Sequence, residues 1–252
     1  MTATYIYALI RPLTDPAVTL DVVGIDEEKV RVVTHDDVAA VVSAIDETRF
    51  ADAEAVKASL TDLHWIEAVA RAHDAVVNAA FGLTTTVPLR LGTTCADDDA
   101  VRELLDDLAP AARRAFERVE GCREWGVQLL AAGDRSPDVQ APQAESGAAF
   151  LRRRRAELRR ADEAHADQAA AADAVFDALA RVSAASRRHP AQDRGLRTDA
   201  RTMLLNASFL VDAGAEDQFH RTLKKLASVH GPDRVVLTGP WAPYSFAELT
   251  PS

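Results

Sequence analysis

The chain has 252 residues and a mass of 27.2 kDa, which is too long for a mini-protein and allows one large domain or two of ordinary size. Hydrophobic residues make up 48%, enough for one or two cores, and a net charge of −10 argues against a nucleic-acid-binding protein. Residues 1–123 hold 22 acidic and 12 basic side chains, whereas residues 124–252 hold 17 of each. This step in charge indicates two units, of which the first stays solvated or meets a basic partner.

Several classes of protein are excluded at this level. The two cysteines, Cys95 and Cys122, are too few for a disulfide scaffold and are interpreted as small buried side chains in a reducing compartment. The N-terminus lacks the basic and apolar regions of a signal peptide, and no apolar run reaches the ~18 residues of a membrane span. We therefore expect a cytoplasmic protein that does not enter a membrane.

The first half of the chain predicts several strands and two helices. Pro88 inside the last strand favours an edge position, because proline cannot donate to a ladder. Asp97–Asp99 favour a helix start, where the helix dipole stabilises negative charge, and Gly82 and Gly121 end the two helices. The predicted strands are 4–10, 30–34, 38–45 and 84–91, and the predicted helices are 52–81 and 97–120.

The second half predicts the order strand, long helix, strand, helix, strand. The strands are 124–130, 203–211 and 235–238, the helices are 148–188 and 216–230, and the segments 133–147 and 189–200 are loops. The fold class is α+β with two domains, 1–122 and 123–252. The second domain is expected to be a modified ferredoxin-like fold with a long helical insertion.

No nucleotide-binding, hydrolase or zinc-protease motif is present in the sequence. His73-Asp74 could be a base with its orienting carboxylate, but a core histidine beside a surface aspartate is the better interpretation. His35-Asp36-Asp37 could be a weak metal site, but a polar turn is favoured. The sequence therefore predicts no enzyme, no cofactor and no metal.

Two unusual runs in the second half leave alternatives open. Arg152–Arg155 covers all faces of a helix, so this run is either a solvated, salt-bridged surface, with Glu157 as one partner, or a contact to an acidic partner. The alanine-rich stretch 164–185 has a thin apolar face, as expected for a protruding helical hairpin, a variable insertion or a helix that joins a partner's groove.

Prolines and aromatic residues are concentrated between Gly239 and Leu249. Such a run is not expected to be a regular strand or helix, so its aromatic side chains either plug the core of the second domain or are displayed to a protein partner. Tyr244, with its polar tip, is the better candidate for the exposed contact. The candidate partner-contact residues are Trp241, Pro243, Tyr244 and Phe246.

Arg90 is a candidate structural ion pair. It follows Pro88-Leu89 on a predicted strand and is flanked by leucines. An arginine in that setting is expected to pair with a buried or interdomain carboxylate, and its loss would cost about 3–5 kcal/mol if the pair is buried.

Segments spread over nearly the whole chain together resemble the gas vesicle GvpF/GvpL family. Each segment alone is weakly specific, and the ordered set is specific. The segments are Tyr5–Ala8, Val41–Ser43 with Phe50, His73–Val77, Val87–Thr93, Glu124–Val127, Ser146–Leu151, Asn206–Val211 and Gly239–Phe246.

The resemblance implies a non-enzymatic gas vesicle protein that acts in assembly or as a minor structural component. It implies association with the hydrophobic shell protein and other gas vesicle proteins, location at the gas vesicle within the cytoplasm, and a ferredoxin-like second domain. The alternative is a ferredoxin-like regulatory module that binds a small ligand.

Overall fold

The computed structural model describes residues 2–15, 19–46, 63–132, 147–190 and 201–249. The chain divides into two compact units, one formed by Met1–Glu124 with Pro240–Ser252 and the other by Trp125–Gly239. The C-terminal segment, which was expected to belong with the rest of 123–252, therefore has its contacts in the first unit. That the two units are independent domains stays a prediction.

The first unit contains an antiparallel sheet with β1 near its centre. The strand order is β2-β3-β1-β4, and β5 also pairs with β1. Tyr5 to Ile10 of β1 are fully buried, as expected for the apolar run at 4–10. The strands are β1 Thr2–Ile10, β2 Arg31–His35, β3 Val38–Asp46, β4 Thr86–Pro88 and β5 Thr94–Cys95.

Two helices, α1 Leu63–Phe81 and α2 Asp98–Val119, pack on this sheet. The apolar side of α1 joins Tyr5, Tyr7 and Ile10 of β1 in one buried cluster. The buried residues of α2, among them Leu105 and Phe116, lie outside that cluster, and α2 contacts β2, β3 and β1. Because Tyr5 to Ile10 are buried on both faces of the sheet, this part of β1 is a continuous run of aromatic and apolar residues rather than an alternating one.

Local signals account for the bounds of α2. The Asp97 side chain accepts hydrogen bonds from the backbone N–H groups of Asp99 and Ala100, at 3.0 and 2.9 Å, and so caps the helix start. At the other end Gly121 has φ +68°, a left-handed conformation that glycine adopts without strain. The predicted helix 97–120 is confirmed to within one residue.

The second unit contains a four-stranded sheet of order β7-β8-β6-β9, in which β7 and β8 are antiparallel. Along the chain its elements alternate as β-α-β-β-α-β. They are β6 Cys122–Leu130, α3 Gly147–Ala180, β7 Ala185–Arg188, β8 Met203–Asp212, α4 Glu216–His230 and β9 Val235–Trp241.

The core of the second unit lies between one face of this sheet and both helices. Phe209 of β8 meets Phe176 of α3 and Phe219 of α4, with ring centroids 5.6 and 5.7 Å apart. Gly126 permits the close approach of β9, because a Cβ at this position would lie 2.4 Å from the Thr238 hydroxyl oxygen.

The prediction of one helix over 148–188 is wrong at its end. Helix α3 stops at Ala180, and β7 pairs with β8, with Ala185 opposite Leu210. Strand β7 is partly or fully exposed along its length, so it lacks the apolar alternation by which strands are predicted.

Two other strands have different lengths from those expected. Only Thr86–Pro88 of the predicted strand 84–91 is regular. In contrast, β9 runs past Thr238 through Pro240 to Trp241. Proline is tolerated there because β9 is an edge strand of its sheet.

Some predicted features lie outside the described residues. They are the first part of the helix expected at 52–81, most of the loop expected at 133–147 and most of the loop expected at 189–200.

Candidate interaction site

The C-terminal strap, residues 240–249, begins with the last two residues of β9 and belongs to the first unit. Trp241 and Tyr244 are 43% and 39% exposed, whereas Pro243 and Phe246 are buried. The four candidate contact residues thus divide into two that the solvent reaches and two that hold the strap. We expected the strap to stabilise the second domain, but it packs against the first unit instead.

Glu124 holds the strap by hydrogen bonds to Ser245. One carboxylate oxygen accepts from the Ser245 backbone N–H at 2.8 Å, and the other accepts from the Ser245 hydroxyl at 2.5 Å. Glu124 is only 6% exposed, and a buried carboxylate is stable only where such donors satisfy it.

Arg118, in the last turn of α2, holds the next residues of the strap. Its Nε donates to the Phe246 carbonyl oxygen at 2.9 Å, and an Nη donates to the Glu248 carbonyl oxygen at 3.2 Å. Together Glu124 and Arg118 bind three backbone groups of the strap, the N–H of Ser245 and the carbonyl groups of Phe246 and Glu248.

The strap also contributes to the core of the first unit. Ala242 is fully buried and belongs to the same apolar cluster as Tyr5, Tyr7 and the inner side of α1. Phe246 is buried as well. The strap is therefore held by apolar contacts as well as by hydrogen bonds, and its exposed rings are presented from a fixed backbone.

The Tyr244 ring lies near His73 of α1, with ring centroids 6.4 Å apart. Its hydroxyl interacts with the Asp74 carboxylate. Burial is the main cause that raises the pKa of Tyr244, and the negative charge of Asp74 adds to it. Tyr244 is thus a neutral hydrogen-bond donor whose side chain is partly exposed to solvent.

Beneath Tyr244 a polar cluster connects β1 to α1. The Tyr5 hydroxyl lies 3.0 Å from Nδ1 of His73 and accepts a hydrogen bond from the backbone N–H of Gly92 at 3.0 Å. The Tyr7 hydroxyl lies 2.8 Å from the Ser43 hydroxyl. These side chains are buried, so the hydrogen bonds offset the cost of removing the hydroxyl groups and Nδ1 of His73 from water, whereas Nε2 of His73 is buried without a hydrogen-bond partner among the described residues.

Burial keeps this cluster neutral near pH 7. It lowers the pKa of His73 to about 4, against smaller opposite effects of Asp74 and the Leu89 backbone. It raises the pKa of Tyr5 to about 12. The Asp74 carboxylate accepts from the Asn78 side chain at 2.9 Å, and Nδ1 of His73 lies 3.0 Å from the Tyr5 hydroxyl. This arrangement supports a structural histidine rather than a general base.

Arg90 is exposed in the turn between β4 and β5, so the expectation of a buried pair there is wrong. Within the described ranges no carboxylate lies within ion-pair distance of its guanidinium. Its backbone carbonyl accepts from the N–H and hydroxyl of Thr93, at 3.3 and 2.7 Å, which forms the turn. The flanking leucines do not indicate burial, because this short segment is not a continuous strand.

The polar turn at His35-Asp36-Asp37 forms ion pairs to α2. Asp37 accepts two hydrogen bonds from Arg113, both 2.7 Å, and these lower the pKa of the carboxyl group. Over the part of the chain that the structure describes, no three His, Cys, Asp or Glu side chains are grouped as for a metal ion. None of the described helices is both long enough and apolar enough to cross a bilayer.

The anchors Glu124 and Arg118 were not identified from the sequence. The sequence does hold one indication that Glu124 has a partner. It lies in an apolar strand just before Trp125, and a glutamate buried in such a strand is rarely without a hydrogen-bond or ion-pair partner. The partner itself lies 121 residues away along the chain, and no periodic pattern specifies it.

Comparison with known proteins gives a consistent result. The sequence model described as "Gas vesicle synthesis protein GvpL/GvpF" matches residues 3–248. Gas vesicle protein L of Streptomyces sp. (strain CB03234) is 39% identical, over 97% of this chain and 92% of that protein. Gas vesicle protein L2 of Halobacterium salinarum is 29% identical, over 96% and 90%.

Two solved structures share the fold. GvpF from Anabaena sp. PCC7120 has a TM-score of 0.69 and 19% identity, with 99% of this chain and 98% of that chain covered. GvpF from Microcystis aeruginosa has a TM-score of 0.66 and 18% identity, over 98% and 99%. The mixed arrangement of helices and antiparallel sheets is therefore shared along the whole chain.

Proposed function

Because this chain belongs to the gas vesicle GvpL/GvpF family, we propose that it is a non-enzymatic protein of gas vesicle formation, an assembly factor or minor structural component. It acts at the gas vesicle within the cytoplasm and associates with the hydrophobic shell protein and other gas vesicle proteins. A shell subunit with an apolar face aggregates in water before it is incorporated. A strongly acidic partner that covers this face keeps the subunit available for assembly.

The strap is the surface that we assign to the shell protein. The supporting observation is that Trp241 and Tyr244 are exposed while the backbone around them is held by Glu124, Arg118 and Phe246. Aromatic side chains on a fixed backbone lose little conformational entropy on binding, so more of their apolar area contributes to affinity.

Capture of the shell protein by the immobilised full chain tests this assignment. We expect Tyr244→Ala and Trp241→Ala each to reduce capture severalfold, and a cooperative urea unfolding transition checks that each variant remains folded. Leu83→Ala is the matched control, since Leu83 is an exposed apolar side chain of the same unit outside the strap. Equal capture by the parent, both strap variants and the control would exclude the strap as the contact surface.

We further propose that the second unit is a modified ferredoxin-like fold. Support comes from its β-α-β-β-α-β order and from its sheet, in which the first and third of its four strands occupy the centre. Helix α3, with 34 residues, is long for such a unit and corresponds to the expected helical insertion.

A further inference from the structure

The turn between β4 and β5 presents the side chains of Arg90 and Leu91 to solvent from an ordered backbone. The Arg90 carbonyl oxygen accepts from the N–H and the hydroxyl of Thr93, at 3.3 and 2.7 Å. The Gly92 N–H donates to the Tyr5 hydroxyl at 3.0 Å, and Gly92 has φ +85°, a conformation that suits glycine. These hydrogen bonds fix the turn, so its exposed side chains start from a defined position.

This turn and the strap border the same buried histidine. The backbone of Leu89 acts on the pKa of His73 and so lies close to its ring. The Tyr5 hydroxyl, which accepts from Gly92, lies 3.0 Å from Nδ1 of His73. The ring centroid of Tyr244 is 6.4 Å from that of His73. The exposed side chains of the turn and the exposed ring of the strap therefore lie around His73 in one surface.

This turn–strap surface, Arg90, Leu91 and Tyr244, combines apolar area with one positive charge. Leu91 and Tyr244 are 49% and 39% exposed. Arg90 is exposed, and among the described residues no carboxylate is within ion-pair distance of it. A single exposed leucine is common on any protein surface. Arginine and tyrosine, however, are enriched among the residues that dominate protein interfaces, so the three together suit a protein partner.

We propose that the turn–strap surface binds a segment of the shell protein in which a carboxylate stands next to apolar side chains, and that Arg90 holds this carboxylate. The proposal rests on the proposed function, which assigns the strap to the shell protein. A guanidinium can bind both oxygens of a carboxylate at once. Leu91 and Tyr244 pack on the apolar neighbours and exclude water from the ion pair, which strengthens it.

The charge of the first unit favours such a segment over a membrane or a small anion. Residues 1–123 hold 22 acidic and 12 basic side chains, so the unit as a whole repels an anionic lipid surface. A small anion would bind Arg90 and leave Leu91 and Tyr244 in water. A segment with one carboxylate among apolar residues uses all three side chains and brings little negative charge towards the unit.

The test is the dissociation constant of the shell protein from the immobilised full chain. Arg90→Glu should raise it at least tenfold, because two carboxylates then face each other. Arg102→Glu is the matched control, since Arg102 is an exposed arginine of α2, paired with Asp99, and the substitution changes the net charge equally. The control should leave the dissociation constant within about twofold of the parent's.

Salt distinguishes the ion pair from the apolar contact. Binding to the parent should weaken as salt is added, because the pair forms in solvent that screens it. Arg90→Gln should bind more weakly at low salt and should show a shallower dependence on salt. Leu91→Ala should bind severalfold more weakly and keep the salt dependence of the parent, since it removes only apolar area. A cooperative urea unfolding transition checks that each variant is folded.

The outcomes separate this proposal from the assignment of the strap. Parent-like binding by Arg90→Glu, with binding lost in Tyr244→Ala, would overturn the ion pair and leave the strap assignment in place. Tighter binding by Arg90→Glu would also overturn the proposal, because the partner segment would then be basic. Parent-like binding by Arg90→Glu, Tyr244→Ala and Trp241→Ala would overturn both.

Discussion

Removal of the Glu124 carboxylate should release the strap from the first unit. Glu124→Ala deletes two hydrogen bonds to Ser245, one to its N–H and one to its hydroxyl. A hydrogen bond to a charged group contributes about 1.5–3 kcal/mol. Water can reach the partly buried Ser245 and recover part of this, so we expect a loss of about 2–4 kcal/mol in the free energy of unfolding.

Two milder substitutions grade the effect. Glu124→Gln retains an oxygen that can accept from the Ser245 N–H and an amide that can donate to the Ser245 hydroxyl. It should therefore lower the free energy of unfolding by only about 1 kcal/mol, the amount by which a charged acceptor strengthens these hydrogen bonds. Ser245→Ala removes only the hydroxyl contact and should lose about 1.5 kcal/mol. The double variant with alanine at both positions should lose less than the sum of the two single losses, because the two residues share one interaction.

The assay combines urea denaturation with hydrogen exchange at the strap amides. Exchange should accelerate most at residue 245 in Glu124→Ala, by at least tenfold, and less in Glu124→Gln. An unfolding free energy within about 0.5 kcal/mol of the parent, with unchanged exchange at residue 245, would refute the view that Glu124 holds the strap.

The remaining predictions concern single side chains of the first unit. His73 is neutral when folded, with its pKa lowered to about 4 from about 6.5 in the unfolded chain, so the unfolded state binds more protons between these values. The free energy of unfolding should therefore fall by about 3 kcal/mol as the pH drops from 6.5 to 4, because of this group alone. His73→Asn should flatten the profile of unfolding free energy against pH in that window. An equally steep profile in the variant would show that other groups cause the loss. Phe246→Ala should lower the free energy of unfolding by about 3–5 kcal/mol because the ring is buried, whereas Trp241→Ala should lower it by about 1 kcal/mol or less. Equal decreases in the melting temperature of the two variants would contradict the difference in burial. Arg90→Ala should change the unfolding free energy by less than about 0.5 kcal/mol, and a larger loss in a urea titration would point to a partner for Arg90 that this account lacks.

Elements with strong local signals could be predicted from the sequence. Helix α4 has the predicted bounds, Glu216–His230, because its apolar period and its acidic first turn agree. The turn between β2 and β3 also follows prediction, since His35-Asp36-Asp37 separates two apolar runs. In both places the information that decides the structure lies within a few residues.

Features that depend on distant pairing could not be predicted. The strap docks on the first unit through Glu124 and Arg118, and neither residue is close to it in sequence. Strand β7 exists because β8 supplies its hydrogen-bond partners, although its own sequence continues the character of a helix. The prediction of candidate contacts at the strap did not separate exposed Tyr244 from buried Phe246, because only the packing of the strap decides which ring is buried.

Cross-linking from the strap in cells that form gas vesicles shows whether the strap lies against the shell protein. A photoreactive phenylalanine analogue replaces Tyr244 in one variant and Leu83, the exposed control of the same unit, in another. The account predicts a cross-link to the shell protein from position 244 and little or none from position 83. Cross-linking to the shell protein from position 83 but not from position 244 would contradict it.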